Sequence, residues 1–573
     1  MKKVLRKICT FIGAVVLILF VVGLVGRIVA GGPSVPDKVV MTINIDEALT
    51  GGRNLGLLNQ FLPPEDSTLD IVRAIDRARR DERVTGLVMR FGNAEPGLAQ
   101  AQEIRNALLR FKETKKFSVA FAPSFGELSP ATRSFYLAST ADEVWVQPLG
   151  LVGLNGIAFE MPFWNGLMEK YGVKAEYTQR KDYKTAMASF TDKGLTPAHR
   201  EMMTALLDDV SQQLAAGIAE NRKLPAETVA GIIGTGPLTA AKALELKLID
   251  KIAYQDELID YIKAKAGKKA RPMPVFDYLN ASTNDPPANF VKVDKNKAVA
   301  VIDIKGVIHS GESVRLPGRT SAGAVTIIGA LETAMKNKSI KVIILRIDSP
   351  GGSAVASETI RRAAIKANEK KPVIVSMGTV AASGGYWIAT ASKHLIAEPA
   401  TLTGSIGVVA GKMSGAGLLR AYDVNWEQLS VGENATMWSS GTGFTQSQRT
   451  KLDEVADEIY DGFKDRVMEA RGLDAATAEA VAQGRVWTGR QALERKLVDA
   501  LGGMDVAFNL AREKMGLAAD TPVATLRLPA PPSTRQQLME LMKFYREGAM
   551  ILPGVIDVLT AQPGMVQADL PAF

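Results

Sequence analysis

Ser383 stands in Ala381-Ala-Ser-Gly-Gly-Tyr386, among small residues just ahead of a helix-like run from Tyr386 to Ala391. Such neighbours let a substrate backbone come close, and the Gly384 N–H can point beside the serine hydroxyl. A serine hydroxyl becomes a nucleophile only when a partner takes its proton. The three histidines are poor candidates. His199 follows Pro197 at the start of a polar helix and is expected to face solvent, His309 ends a strand, and His394 reads as surface. A neutral lysine does the same work in Ser–Lys pairs. The candidate is Lys184, in Lys181-Asp-Tyr-Lys-Thr-Ala186. Its pKa must fall from ~10.4 to about 7, roughly 4–5 kcal/mol, which burial among apolar groups can supply.

A second chemical signal is Asp348-Ser-Pro-Gly-Gly-Ser353, placed directly after an apolar strand. A Pro-Gly-Gly turn from strand to helix exposes backbone N–H groups that can hold an anion or an oxyanion. The same spelling also serves a tight turn that simply needs glycine.

The elements that must position these residues are written twice. Val39–Ile45 and Ala298–Ile304 are apolar, β-branched strands, each followed by a loop and an amphipathic helix, Asp70–Arg80 and Thr326–Lys336. Strands Thr85–Arg90 and Lys341–Arg346 come next, then helices Ala101–Phe111 and Ala356–Asn368. Phe135–Ser139 then faces Tyr386–Thr390 at an offset of 251, Val144–Pro148 faces Leu395–Pro399, and Leu238–Asp250 mirrors Trp487–Asp499. Strands alternating with amphipathic helices predict βαβ units and mainly parallel sheets. The expected organisation is an α/β domain over 38–265, a polar, proline-containing linker over 266–295, a second α/β domain over 296–516 and a tail over 517–573 with a helix near Thr534–Arg546.

The copies differ where chemistry would happen. At the place of Ser383 the first copy has Thr132, followed by Arg133-Ser134 where the second has two glycines. At the place of Lys184 the second copy has Ala435. One copy keeps a candidate nucleophile and the other a candidate base, a division that two purely structural domains have no reason to make.

Composition narrows the function classes. The chain has 573 residues, 46% hydrophobic and 23% charged, which excludes wholesale disorder. One cysteine, Cys9, excludes an intramolecular disulfide framework and thiolate metal clusters. The net charge of +8 owes half of its excess to Lys2, Lys3, Arg6 and Lys7, and no dense basic run interleaves with aromatics, so nucleic acid is not an expected partner. Those cations precede an apolar run, residues 8–26, long enough to cross a hydrocarbon core of ~30 Å. Residues 1–30 are therefore expected to form an uncleaved single-pass anchor contacting membrane lipid, with the rest of the chain on the periplasmic, extracytoplasmic side of a bacterial inner membrane. A cleavable signal peptide is the competing reading.

Taken together, Asp348-Ser-Pro-Gly-Gly, the stretch Ser376-Met-Gly-Thr-Val-Ala-Ala-Ser-Gly-Gly-Tyr386 and Leu402-Thr-Gly-Ser-Ile-Gly407 resemble the signal peptide peptidase A family of S49 serine peptidases, in its long tandem-domain bacterial form. The resemblance implies two tandem ClpP/crotonase-like domains, Ser383 as nucleophile and Lys184 as general base. It implies Gly352 and Gly384 as oxyanion donors, Gly351 as the residue shaping their turn, and Ser405 as a hydrogen-bond partner of the lysine. It further implies hydrophobic signal-peptide substrates, a homotetramer and no cofactor or metal. Two other classes stay open: a crotonase-type acyl-CoA enzyme, and an inert membrane scaffold if Ser383 and Lys184 lie far apart.

Overall fold

The computed structural model describes residues 34–46, 68–127, 129–287, 293–316, 319–519 and 521–529. The apolar, β-branched segments form two parallel sheets of the same design. In the first, strands run in the spatial order Lys251–Ile252, Glu143–Val146, Phe117–Ala122, Val84–Arg90, Val39–Asn44, Arg271–Pro274. In the second, Ala500–Leu501, Leu395–Ala397, Val373–Ala382, Ile340–Ser349, Ala298–Lys305 and Ala524–Leu528 follow in the same sense. The first half also has a separate antiparallel pair, Leu151–Val152 with Leu238–Thr239, whereas in the second Leu402–Gly404 joins the sheet parallel to Val380–Ala382 and pairs antiparallel with Val486–Thr488.

These central strands bury both faces, which is why they read as continuous apolar runs rather than alternating ones. Val342, Ile343, Ile344 and Leu345 are all fully buried. Helices cover the sheets. Thr68–Arg80 turns Ile71, Val72, Ala74, Ile75 and Ala78 inward, a spacing that keeps them on one face. Leu98–Lys112 and Ala354–Asn368 do the same in the two halves.

Two segments differ from expectation. Residues 266–295 hold a strand and a helix rather than a linker alone. Arg271–Pro274 adds a parallel edge strand beside Val39–Thr42, and Val275–Asn284 packs on helix Thr68–Arg80. Its two prolines suggested a loop, but an edge strand tolerates residues without an N–H. Likewise Ala524–Leu528, within the expected tail, is the edge strand beside Ala298–Ile302. The helix expected near Thr534–Arg546 lies outside the described residues.

The membrane placement is also corrected. Among the described residues no helix is long and apolar enough to cross a membrane. A single-pass inner-membrane chain with extracytoplasmic domains is therefore not carried by this structure. The run 8–26 lies outside the described residues.

The halves are joined by a seam and a ribbon. In the seam, Glu103 of the first half is 2% exposed and accepts from Arg346 Nη2 at 2.6 Å and from the Met504 N–H at 2.9 Å. Gln102 accepts from the Ala400 N–H at 2.9 Å, and Arg110 pairs with Asp505 at 2.5 Å. In the ribbon, Lys174–Arg180 of the first half pairs antiparallel with Val408–Ser414 of the second, Arg180 opposite Val408.

Candidate active site

Ser383 lies between strand Val373–Ala382 and helix Gly384–Ala389. Its backbone has φ +52° and ψ −118°, a region that a residue with a Cβ enters only under strain. Two bonds hold it there: its N–H donates to the Gly404 carbonyl at 2.9 Å, and its carbonyl accepts from the Trp387 N–H at 2.8 Å. The sharp strand-to-helix turn lifts the side chain off the end of the sheet.

Lys184 arrives from the other half. It sits in the turn after strand Lys174–Arg180, just where the ribbon ends beside Ser405-Ile-Gly407. Its Nζ lies 3.0 Å from Ser383 Oγ, 2.9 Å from Ser405 Oγ and 2.9 Å from the Ser405 carbonyl oxygen, all within one chain. The residue is 4% exposed. Burial lowers its pKa from 10.5 to about 7, and no carboxylate among the described residues opposes the shift. A neutral amine keeps two N–H donors and one lone pair. The Ser405 carbonyl can only accept, so it takes one N–H; the Ser405 hydroxyl takes the other, and the lone pair is left for the Ser383 O–H.

The glycine turn also approaches the serine. Gly351 and Gly352 have φ of +108° and +146°, conformations that favour glycine. A Cβ on Gly351 would lie 2.7 Å from both Gly384 N and Ser383 Cβ, so the turn is in contact with the serine itself. A Cβ on Gly352 would meet the Ile308 carbonyl oxygen at 2.1 Å. A Cβ built on Gly384 would be 3.2 Å from Gly352 N, which brings the two N–H groups into one small space. Neither N–H has a hydrogen-bond partner among the described residues. The structure thus gathers Ser383, Lys184, Ser405, Gly351, Gly352 and Gly384 at one place.

The histidines are elsewhere, and one expectation is corrected. His199 does not face solvent: it is 2% exposed, its Nδ1 has no partner among the described residues, and it packs against Phe159 with ring centroids 6.0 Å apart. Its polar helical neighbours suggested a surface, but its helix, Pro197–Arg222, is covered by the second half, where Met202, Met203 and Leu206 meet Leu402 and Val486. The segment Gln483–Arg485, which touches both the lysine turn and Ser405, carried no sequence signal beyond a glycine.

The description "Peptidase family S49" matches this chain over residues 112–269 and 365–518. The chain belongs to peptidase family S49. It is 31% identical to "Serine protease SPPA, chloroplastic" of Arabidopsis thaliana over 86% of its own length and 72% of that protein. It is 30% identical to "Protease 4" of Salmonella typhi over 89% of its length and 79% of that protein. With "Putative signal peptide peptidase SppA" of Enterococcus faecium it shares 29% identity over 38% of this chain and 64% of the other. The chain is accordingly a serine peptidase, and the two family segments fall one in each α/β half, a tandem arrangement. The acyl-CoA reading has no further support, and the 3.0 Å between Lys184 and Ser383 removes the condition on which the scaffold reading depended.

Proposed function

We propose that this peptidase works by a Ser383–Lys184 dyad. The reading rests on one observation: a buried lysine amine within hydrogen-bond distance of a serine hydroxyl on a strained turn. Neutral Lys184 takes the Ser383 proton as Oγ attacks a peptide carbonyl carbon. The carbonyl oxygen becomes an oxyanion, stabilised by the Gly352 and Gly384 N–H groups. The C–N bond then breaks, Lys184 returns its proton to the leaving amine, and an acyl-enzyme remains. Water, deprotonated by the same amine, releases the acid and restores the serine. Ser405 holds the amine in register through its carbonyl and hydroxyl.

The substrate class we assign is the apolar signal peptide left after export, cut within its hydrophobic stretch. The Enterococcus faecium relative's name supports that choice, as does the apolar cluster of Phe159, Tyr183, Val380 and Leu402 beside the site. We extend the reading to a homo-oligomer, a tetramer by family resemblance, in keeping with the exposed apolar side chains Tyr422, Trp426, Leu429 and Val431. Light scattering of the purified chain tests the assembly.

Hydrolysis of an internally quenched leucine-rich peptide tests the dyad, with Ser383→Ala and Lys184→Ala beside the parent. Both variants are expected to fold and to lose activity by at least ~10³-fold. A Lys184→Ala protein that cuts at the parent's rate overturns the dyad.

A further inference from the structure

Three consecutive residues touch both sides of the lysine. The Gln483 carbonyl accepts from the Tyr183 N–H at 3.2 Å and the Lys181 N–H at 3.4 Å, so it holds the turn that carries Lys184. Gly484, at φ +81°, lies against that turn: a Cβ there would sit 2.5 Å from both Lys184 Cβ and Lys184 N. The Gly484 N–H donates to the Ile406 carbonyl at 2.8 Å, and the Arg485 carbonyl accepts from the Ser405 N–H at 2.7 Å.

The Arg485 side chain then returns to the first half. Its guanidinium forms a two-pronged pair with Glu201, Nη1 to Oε2 at 2.6 Å and Nη2 to Oε1 at 2.8 Å. It also stacks over two rings, 4.9 Å from the centre of Tyr183 and 4.4 Å from that of Trp487. Tyr183 immediately precedes Lys184. The planar fork and the stacking together fix an orientation that a lysine could not reproduce.

We propose that Gln483–Arg485 is a positioning clip for the dyad, in which Arg485, anchored by Glu201 and stacked on Tyr183, keeps the Lys184 turn closed over Ser405. The inference rests on the dyad reading above. The clip is a support for the base and not a reacting group. It acts by holding the amine dry and at its distance from Ser383, so loosening it both misplaces the base and admits water to it. Displacements of about 1 Å cost on the order of 10²-fold in rate. A rehydrated lysine also returns towards its ordinary pKa, so less of it is neutral at a given pH.

The test measures kcat and KM of the full chain on the quenched leucine-rich peptide, from roughly pH 6 to pH 9, for four proteins. These are the parent, Arg485→Met, Arg485→Lys and Lys184→Ala. Arg485→Met is expected to lose about 10- to 100-fold in kcat with KM within about twofold, and to move the acid limb of the pH profile up by about one pH unit. Arg485→Lys should recover part of kcat, because it restores a cation for Glu201 but not the fork. An Arg485→Met profile whose acid limb coincides with the parent's overturns the clip, whatever happens to kcat, because a merely structural defect lowers the amount of active enzyme without moving the limb. Should Arg485→Met fail to fold, Glu201→Gln replaces it. That change keeps the arginine and removes its anchor, and an unmoved limb again overturns the inference. Activity in Lys184→Ala would instead sink the dyad reading itself.

Discussion

Replacing Lys184 with methionine should stabilise the protein at neutral pH and destabilise it in alkali. Methionine fills a similar volume without a charge to desolvate. The lysine pKa falls from 10.5 to about 7 on burial, which is roughly 5 kcal/mol at ~1.36 kcal/mol per pH unit. Between those two values the unfolded chain holds a proton on Lys184 that the folded chain does not. Stability therefore rises with pH across the window, and at pH 7 the lysine carries nearly the whole penalty. Methionine loses the amine's two hydrogen bonds to Ser405 and leaves a buried carbonyl and hydroxyl wanting, at a cost of about 1–3 kcal/mol. The balance near pH 7 is a gain of about 2–4 kcal/mol for Lys184→Met. Near pH 10 the penalty has shrunk below about 1 kcal/mol, so the variant becomes the less stable protein. Denaturant unfolding of both proteins at several pH values gives the difference directly. A difference that stays constant with pH, or that favours lysine at pH 7, refutes the reasoning.

On the proposed dyad, the activity of the parent should rise with pH through about 7 and level off above it, because a neutral amine is then needed to take the serine proton; a titration of kcat/KM locates the limb. Gly352→Ala puts a Cβ 2.1 Å from the Ile308 carbonyl oxygen at φ +146°, and should cut kcat by at least ~10²-fold while circular dichroism reports a folded chain. Arg346→Met strands the buried Glu103 carboxylate, which should cost about 3–5 kcal/mol in denaturant unfolding, far more than a surface arginine. Glu398 is 1% exposed, and burial, aided by the nearby Glu103 charge, pushes its carboxyl well above the ordinary value. The unfolded chain releases that proton first, so stability falls as pH rises above the ordinary carboxyl range. Glu398→Gln should match the parent near pH 5 and melt higher than it near pH 8, as calorimetry can show.

Elements that a local pattern dictates were legible in the sequence. The strands at Val39 and Ala298 and the helices ending at Arg80 and Asn368 lie within a few residues of their expected bounds, because apolar periodicity alone decides them. The division of Ser383 and Lys184 between two copies was legible because a duplication provides its own control. What was hidden is set by contacts distant in sequence. Nothing near Lys174 announces that it pairs with Ser414, 240 residues away, since the partner of such a two-stranded ribbon is chosen by tertiary docking. His199 looked solvated because its own helix is polar around it, and the ring that covers it, Phe159, comes from a segment forty residues away in sequence. The prolines at 272 and 274 hid an edge strand because a missing N–H is harmless on a strand's outer side. Gln483–Arg485 was silent because its hydrogen bonds to the lysine turn and to Ser405–Ile406 all run through backbone atoms, which leave no trace in residue type.

The ribbon between the halves has a consequence for timing. A ribosome releases Lys184 some two hundred residues before Ser383, and the strand Val408–Ser414 that draws the lysine turn into place emerges later still. On the proposed mechanism, a chain still being made has no base beside its nucleophile, and a fragment of either half has none at all. Hydrolytic power switches on only when the last half has folded against the first. On that mechanism, the order of synthesis alone keeps base and nucleophile apart until both halves have been made.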